Sequence, residues 1–132
     1  MVSKINQFTF DTRDGYRLAQ FWKQVTGYTE HPDYPNKPEE EENFIGPGGD
    51  HPGLLFINVP EGKTVKNRMH LDISPETGTR DEEVERLLAL GATLYEDHRK
   101  PDGAGWVTLR DPEGNEFCVE RSEAEREAAK NA

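Results

Sequence analysis

Cysteine is nearly absent: Cys118 is the only one in 132 residues. No disulfide can form within the chain, so a small extracellular scaffold held by disulfides is excluded. Long apolar runs are missing too, and no stretch approaches the roughly 20 apolar residues of a membrane span. Met1-Val2-Ser3-Lys4-Ile5 has no apolar core of the signal-peptide kind. These shortages predict a cytoplasmic protein with no membrane partner. Positive charge is also scarce, with 16 Lys and Arg against 26 Asp and Glu, a formal charge of −10. Nucleic acid is therefore not an expected partner, because that affinity rests on clustered Lys and Arg displacing counterions.

Hydrophobic residues make up only 33% of the chain and charged ones 32%. The apolar residues are nonetheless periodic, which predicts one folded domain over 1–132 rather than disorder. Gln7-Phe8-Thr9-Phe10-Asp11 alternates like a half-buried strand. Asp14 is a candidate N-cap for a helix whose buried stripe is Leu18, Phe21, Trp22 and Val25, ending at Gly27. Residues 29–43, with three prolines and the acidic run 39–42, read as a long solvated loop carrying at most an edge strand. Phe44-Ile45 and Gly53–Val59 read as strands, separated by the turn Gly46-Pro47-Gly48-Gly49.

The second half repeats this plan. His70 and Gly91 stand 63 and 64 positions after Gln7 and Gly27. Residues 68–74 alternate, with Met69, Leu71 and Ile73 on one face and Arg68, His70, Asp72 and Ser74 on the other. Thr79-Arg80-Asp81-Glu82 has the form of a capping box, and Val84, Leu87 and Leu88 give the helix its stripe. Strands are expected at about 93–97, 105–110 and 115–120. The last two are joined by the turn Asp111-Pro112-Glu113-Gly114. The result is an α+β chain of two βαβββ modules, at about 5–60 and 66–121, with an exposed, helix-prone tail over 122–132.

Two βαβββ units in one short chain, with Phe21-Trp22, Thr26-Gly27, Lys66 to Asp72 and Asp111-Pro112-Glu113-Gly114-Asn115-Glu116-Phe117-Cys118, resemble the vicinal oxygen chelate (VOC) superfamily. That group includes glyoxalase I, bleomycin-resistance proteins and extradiol dioxygenases. The likeness to its small glyoxalase-like members runs from about 5 to 121. It implies two sheets forming a half-open barrel around a cavity, and a homodimer. It also implies metal ligands from the first and fourth strands of each module. Carried onto this sequence, those positions are Gln7, Phe56, His70 and Cys118. Gln7 and His70 are types that metal-binding members use; Phe56 cannot ligate, and Cys118 stands where Glu is usual. No cofactor is therefore expected. A divalent metal, if one is held, falls to Gln7 and His70, with a Gln/His/Cys zinc site left open.

Strand parity supplies the candidate ligand-binding residues: Gln7, Thr9, Phe56, Asn58, Arg68, His70, Trp106, Thr108, Cys118 and Glu120. Phe8, Phe10, Leu71, Phe117 and Val119 are expected to pack beneath the helices. His70 and Asp72 are the candidate catalytic pair, since an imidazole near neutrality suits acid–base work. Their plainer roles are a polar contact on the strand face for His70 and an ion pair with Arg68 for Asp72. Arg110 shares a strand face with Trp106 and Thr108.

Three functions compete. The first is a metal-independent small-molecule binder of the drug-sequestering or self-resistance kind. The second is a lyase, isomerase or epimerase using His70 or Asp72, with or without a divalent metal. The third is a partner-binding module, for which no exposed apolar stripe argues. The incomplete ligand set favours the binder.

Overall fold

The computed structural model describes residues 1–131. Ala132, the last residue of the expected tail, lies outside them. Among the described residues the chain is α+β, with mixed sheets and three helices, and it divides into one unit over Met1–Thr64 and a second from Val65 onward. Among the described residues, no helix is long and apolar enough to cross a membrane.

In the first unit, β1 (Gln7–Thr12) leads into α1 (Gly15–Thr26), followed by β2 (Glu42–Ile45) and β3 (Gly53–Asn58). Asp14 caps α1 by accepting from the Arg17 N–H at 3.1 Å, and Gly27 closes it at φ 75°, a left-handed position that a side chain would strain. The sheet order is β1-β3-β2, with β1 parallel and β2 antiparallel to β3. The loop after α1, expected to carry at most an edge strand, contributes isolated bridges between Thr29 and Gly46 and between His31 and Tyr34. Two asparagines pin the loop that follows. Asn36 Oδ1 accepts from the Phe44 N–H and Asn43 Oδ1 from the Lys37 N–H, at 2.9 and 3.1 Å.

The core of this unit corrects one sequence expectation. Across the β1–β3 ladder, Phe10 stands opposite Phe56 and Thr9 opposite Leu55. Phe56 therefore faces α1. It is 0% exposed, stacks on Phe10 with ring centroids 5.5 Å apart, and joins Trp22 and Leu18 in the core. Asn58 has the same parity; its Oδ1 accepts from the Gly15 N–H at 2.7 Å and so helps start the helix. Neither residue shares a face with Gln7 and Thr9, whose β3 neighbours are Gly53 and Leu55. A central strand with apolar residues at every position from Leu54 to Ile57 has no alternation to reveal its facing, and a slip of one residue reverses it.

In the second unit, β4 (Asp72–Ile73) precedes α2 (Arg80–Leu90), and β5 (Thr93–Asp97), β6 (Val107–Arg110), β7 (Glu116–Val119) and α3 (Glu123–Lys130) follow. The order is β4-β7-β6-β5, with β4 parallel to β7 and the other pairs antiparallel. The capping box at Thr79 and Glu82 is complete. Val84, Leu87, Val107, Leu109, Phe117 and Val119 are buried together as the apolar set of this unit. The strand expected over 68–74 is much shorter, and Met69 is 76% exposed rather than packed. Leu71 and Ile73 are only half-buried. The lead-in to β4 is held by side chains instead of a ladder: Glu116 Oε1 accepts from the Asn67 N–H at 2.7 Å, and Asn67 Nδ2 donates to Asn115 Oδ1 at 3.1 Å.

Arg80, at the head of α2, is almost wholly buried. Its Nη1 donates to the carbonyls of Gly103, Ala104 and Gly105, and its Nε to Asp81. Gly105, at φ 90°, brings its backbone against the His98 carbonyl, where any Cβ would collide. Together these contacts shape the loop between β5 and β6. The tail forms α3 behind a capping box at Ser122 and Glu125, with no buried residue of its own.

Candidate functional site

The outward face of the second unit's sheet holds a cavity of about 500 Å³ lined by Lys66, His70, Asp72, Glu96, His98, Trp106, Thr108, Glu116, Cys118 and Glu120. Register explains the grouping. Cys118 on β7 stands between Asp72 on β4 and Thr108 on β6, so the three side chains project from one face while Phe117 and Val119 point to the core. The ladder continues past the two-residue strand, because the Cys118 N–H donates to the Leu71 carbonyl and the Glu120 N–H to that of Ile73.

His70 Nδ1 and Asp72 Oδ1 lie 3.0 Å apart. Thr108 Oγ1 and Cys118 Sγ lie within hydrogen-bond reach at 3.4 Å. Burial pushes the Cys118 thiol up from its ordinary value. The Thr108 hydroxyl opposes that shift, and the Asp72 and Glu120 carboxylates reinforce it. The other wall is aromatic: His98 stacks on Trp106, centroids 4.6 Å apart and planes 24° from parallel, and its Nε2 lies 3.5 Å from Glu96 Oε1. Trp106 keeps 41% of its surface exposed, whereas the other tryptophan, Trp22, is fully buried.

Of the residues expected at a ligand site, this cavity brings together His70, Asp72, Trp106, Thr108, Cys118 and Glu120. Arg68 is exposed and not part of the lining. Asp72 pairs with His70 rather than with the expected Arg68. Gln7 and Thr9 lie exposed on the first unit's sheet, while Phe56 and Asn58 face its helix. Arg110 is engaged elsewhere, donating to Glu116 Oε2 at 3.3 Å and sitting 3.9 Å over the Tyr95 ring.

Lys66, Glu96, His98 and Glu116 are additional lining residues. The parity of Glu116 with Cys118 was available in the sequence. The positions of Glu96 and His98 depend on a register irregularity between Leu94 and Glu96, which alternation cannot reveal.

A glyoxalase-like domain family model matches residues 7–120. No curated protein sequence matches the chain. Among solved structures, a glyoxalase/bleomycin resistance protein/dioxygenase family enzyme from Burkholderia phytofirmans is similar at 20% identity and TM-score 0.67, over 89% of this chain and 97% of that one. The fosfomycin resistance protein FosX from Mesorhizobium loti is similar at 20% identity and TM-score 0.66, over 97% and 99%. A variant of FosX from Listeria monocytogenes, complexed with Mn(II) and 1S,2S-dihydroxypropylphosphonic acid, is similar at 17% identity and TM-score 0.66, over 98% and 99%.

A metal is chemically possible here, because His70, Asp72 and Cys118 offer ligand atoms that all lie within 4.8 Å of one another. Asp72 is the addition to the set expected from sequence. These donors do not fit Mn(II), which favours oxygen ligands, since one of the three is a thiol and one an imidazole. By its family match over most of its length, residues 7–120, the chain belongs to the glyoxalase-like domain family.

Proposed function

We propose that the chain binds a small, flat, polar organic molecule in the second unit's cavity without a Mn(II)-type centre, as a cytoplasmic drug-sequestering or self-resistance protein. The observation that carries this reading is the pairing of a half-exposed tryptophan, backed by His98, with a few convergent polar groups across the cavity. An aromatic plate supplies contact area for a flat ligand, and His70, Asp72 and Thr108 supply orientation. Because Trp22 is buried, ligand-induced change in tryptophan emission reports on Trp106. A panel of small molecules that includes bleomycin and fosfomycin is the direct test. At least one compound is expected both to raise the melting temperature and to alter the emission, with the emission change lost in Trp106→Ala. A ligand whose binding ignores both Trp106→Ala and His70→Ala would remove the site.

The 3.0 Å contact between His70 and Asp72 supports a second reading, a lyase, isomerase or epimerase. When Nδ1 carries the proton and donates to Asp72, Nε2 holds a lone pair and serves as a base, with the carboxylate stabilising the imidazolium that forms. Turnover of a cavity ligand that disappears in His70→Ala separates this reading from simple binding.

A further inference from the structure

We propose that the second unit's cavity selects a small planar aromatic cation, such as an N-alkylated or protonated heteroaromatic ring, over neutral and anionic molecules of the same shape. The inference deepens the ligand reading above and rests on it, naming the charge that the ligand carries. Asp72, Glu96, Glu116 and Glu120 line the cavity, and Lys66 is the single lysine or arginine among the lining residues. Glu116 is already engaged, accepting from Arg110 Nε at 3.3 Å and from the Asn67 N–H at 2.7 Å. Asp72, Glu96 and Glu120 are exposed, so their charge is open to whatever enters the cavity.

One of these carboxylates stands beside the aromatic plate. Glu96 Oε1 lies 3.5 Å from His98 Nε2, and the His98 ring is stacked on Trp106. On the β4 side, Asp72 Oδ1 lies 3.0 Å from His70 Nδ1. A neutral imidazole that donates to a carboxylate leaves that carboxylate its negative charge. Arg110 brings no opposing charge, because it lies outside the lining and sits 3.9 Å over the Tyr95 ring. The sign of the local potential is legible at Cys118. Burial raises its thiol most, the Thr108 hydroxyl lowers it, and the Asp72 and Glu120 carboxylates raise it again.

Ligand charge follows from these groups together. The face of an indole attracts cations, more strongly than any other aromatic side chain, and Trp106 keeps 41% of its surface exposed. A flat cation gains ring contact with the indole and Coulomb attraction from the carboxylates, whose field a concave wall focuses. A neutral ring of the same outline gains the contact alone. An anion meets three carboxylates of its own sign, which is how like charges reject a wrong partner. A compact ammonium ion keeps the attraction but forfeits the stacking.

The test uses the full chain and three probes of one two-ring outline: the 1-methylquinolinium cation, neutral 1-methylnaphthalene and the 1-naphthoate anion. Calorimetric titration at low salt is expected to show the cation binding about tenfold or more tighter than the neutral probe, with no binding of the anion. Added salt should weaken the cation and spare the neutral probe. Glu96→Gln and Glu120→Gln should each lower affinity for the cation several-fold and leave that for 1-methylnaphthalene unchanged. Trp106→Ala should weaken both probes and remove the emission change. Circular dichroism and melting show that each variant has folded, and Glu96→Ala or Glu120→Ala replaces a glutamine variant that has not. Equal affinity for cation and neutral probe, tighter binding of the anion, or cation binding indifferent to salt and to both glutamine variants overturns this proposal. The ligand reading survives those results if binding still depends on Trp106. Failure of the cation to bind also overturns the proposal, and the ligand reading then stands or falls with the wider panel. Cation binding that ignores Trp106→Ala overturns the proposal as well, because the cation then sits away from the plate.

Discussion

Asp72 and Cys118 stand opposite each other in the parallel ladder of β4 and β7, and their side chains share the face that carries His70 and Thr108. One backbone register thus delivers a carboxylate, a thiol, an imidazole and a hydroxyl to a single wall. The site's geometry depends on that ladder, although β4 itself is only two residues long.

His70→Ala is expected to weaken binding of a cavity ligand by about 1–3 kcal/mol, the cost of removing a hydrogen-bond partner from a partly enclosed contact. The melting temperature should barely move, since the side chain lies outside the helix-packed core. Calorimetric titration of the best ligand from the panel, alongside thermal melts, checks both halves.

Phe56→Ala should cost about 3–5 kcal/mol in urea unfolding, as for other fully buried aromatics. Leu55→Ala, one residue away on the opposite and half-buried face, should cost clearly less. Equal costs would return Phe56 to the outward face.

Cys118 is an acid whose folded pKa lies above its ordinary value of 9.0, so the fold favours the neutral thiol. Its contribution to stability is full below about pH 9 and is lost as the pH climbs from there toward the raised folded value. In metal-free protein at pH 8, iodoacetamide should modify Cys118 several-fold more slowly than it modifies the same thiol in urea. Mass spectrometry over a time course gives the two rates.

We also propose self-association. β5 is an outer strand of its sheet, all five of its residues are exposed, and Leu94 and Tyr95 are among them. An uncovered edge with apolar side chains favours pairing with a second copy. Sedimentation at tens of micromolar protein should report twice the 15.0 kDa mass of the chain; a lone chain at that concentration would end this proposal.

Where one strand face is wet and the other dry, facing was legible in the sequence. Phe117 and Val119 flank Cys118, and β7 faces as its alternation says. Helix ends were legible for a similar local reason, because Asp14, Gly27 and the Thr79–Glu82 box act within one turn. Facing was lost at β3, a central strand apolar on both sides, where Phe56 was placed outward. It was lost again beyond Leu94, where a register irregularity carries Glu96 and His98 to the cavity. The shortness of β4 was hidden because Asn67 and Glu116 replace ladder bonds with side-chain bonds 48 and 49 residues apart in sequence.

The Arg80 guanidinium fastens the first turn of α2 to the carbonyls of Gly103, Ala104 and Gly105, the loop that delivers Trp106 to the cavity. Opening that loop would leave a buried cation without its acceptors, so the loop and the first helical turn should come apart as one cooperative unit. In amide hydrogen exchange the two segments would then share one opening free energy. The aromatic wall of the cavity would be as long-lived as the start of the helix, which makes it a fixed plate against which ligands are selected by shape.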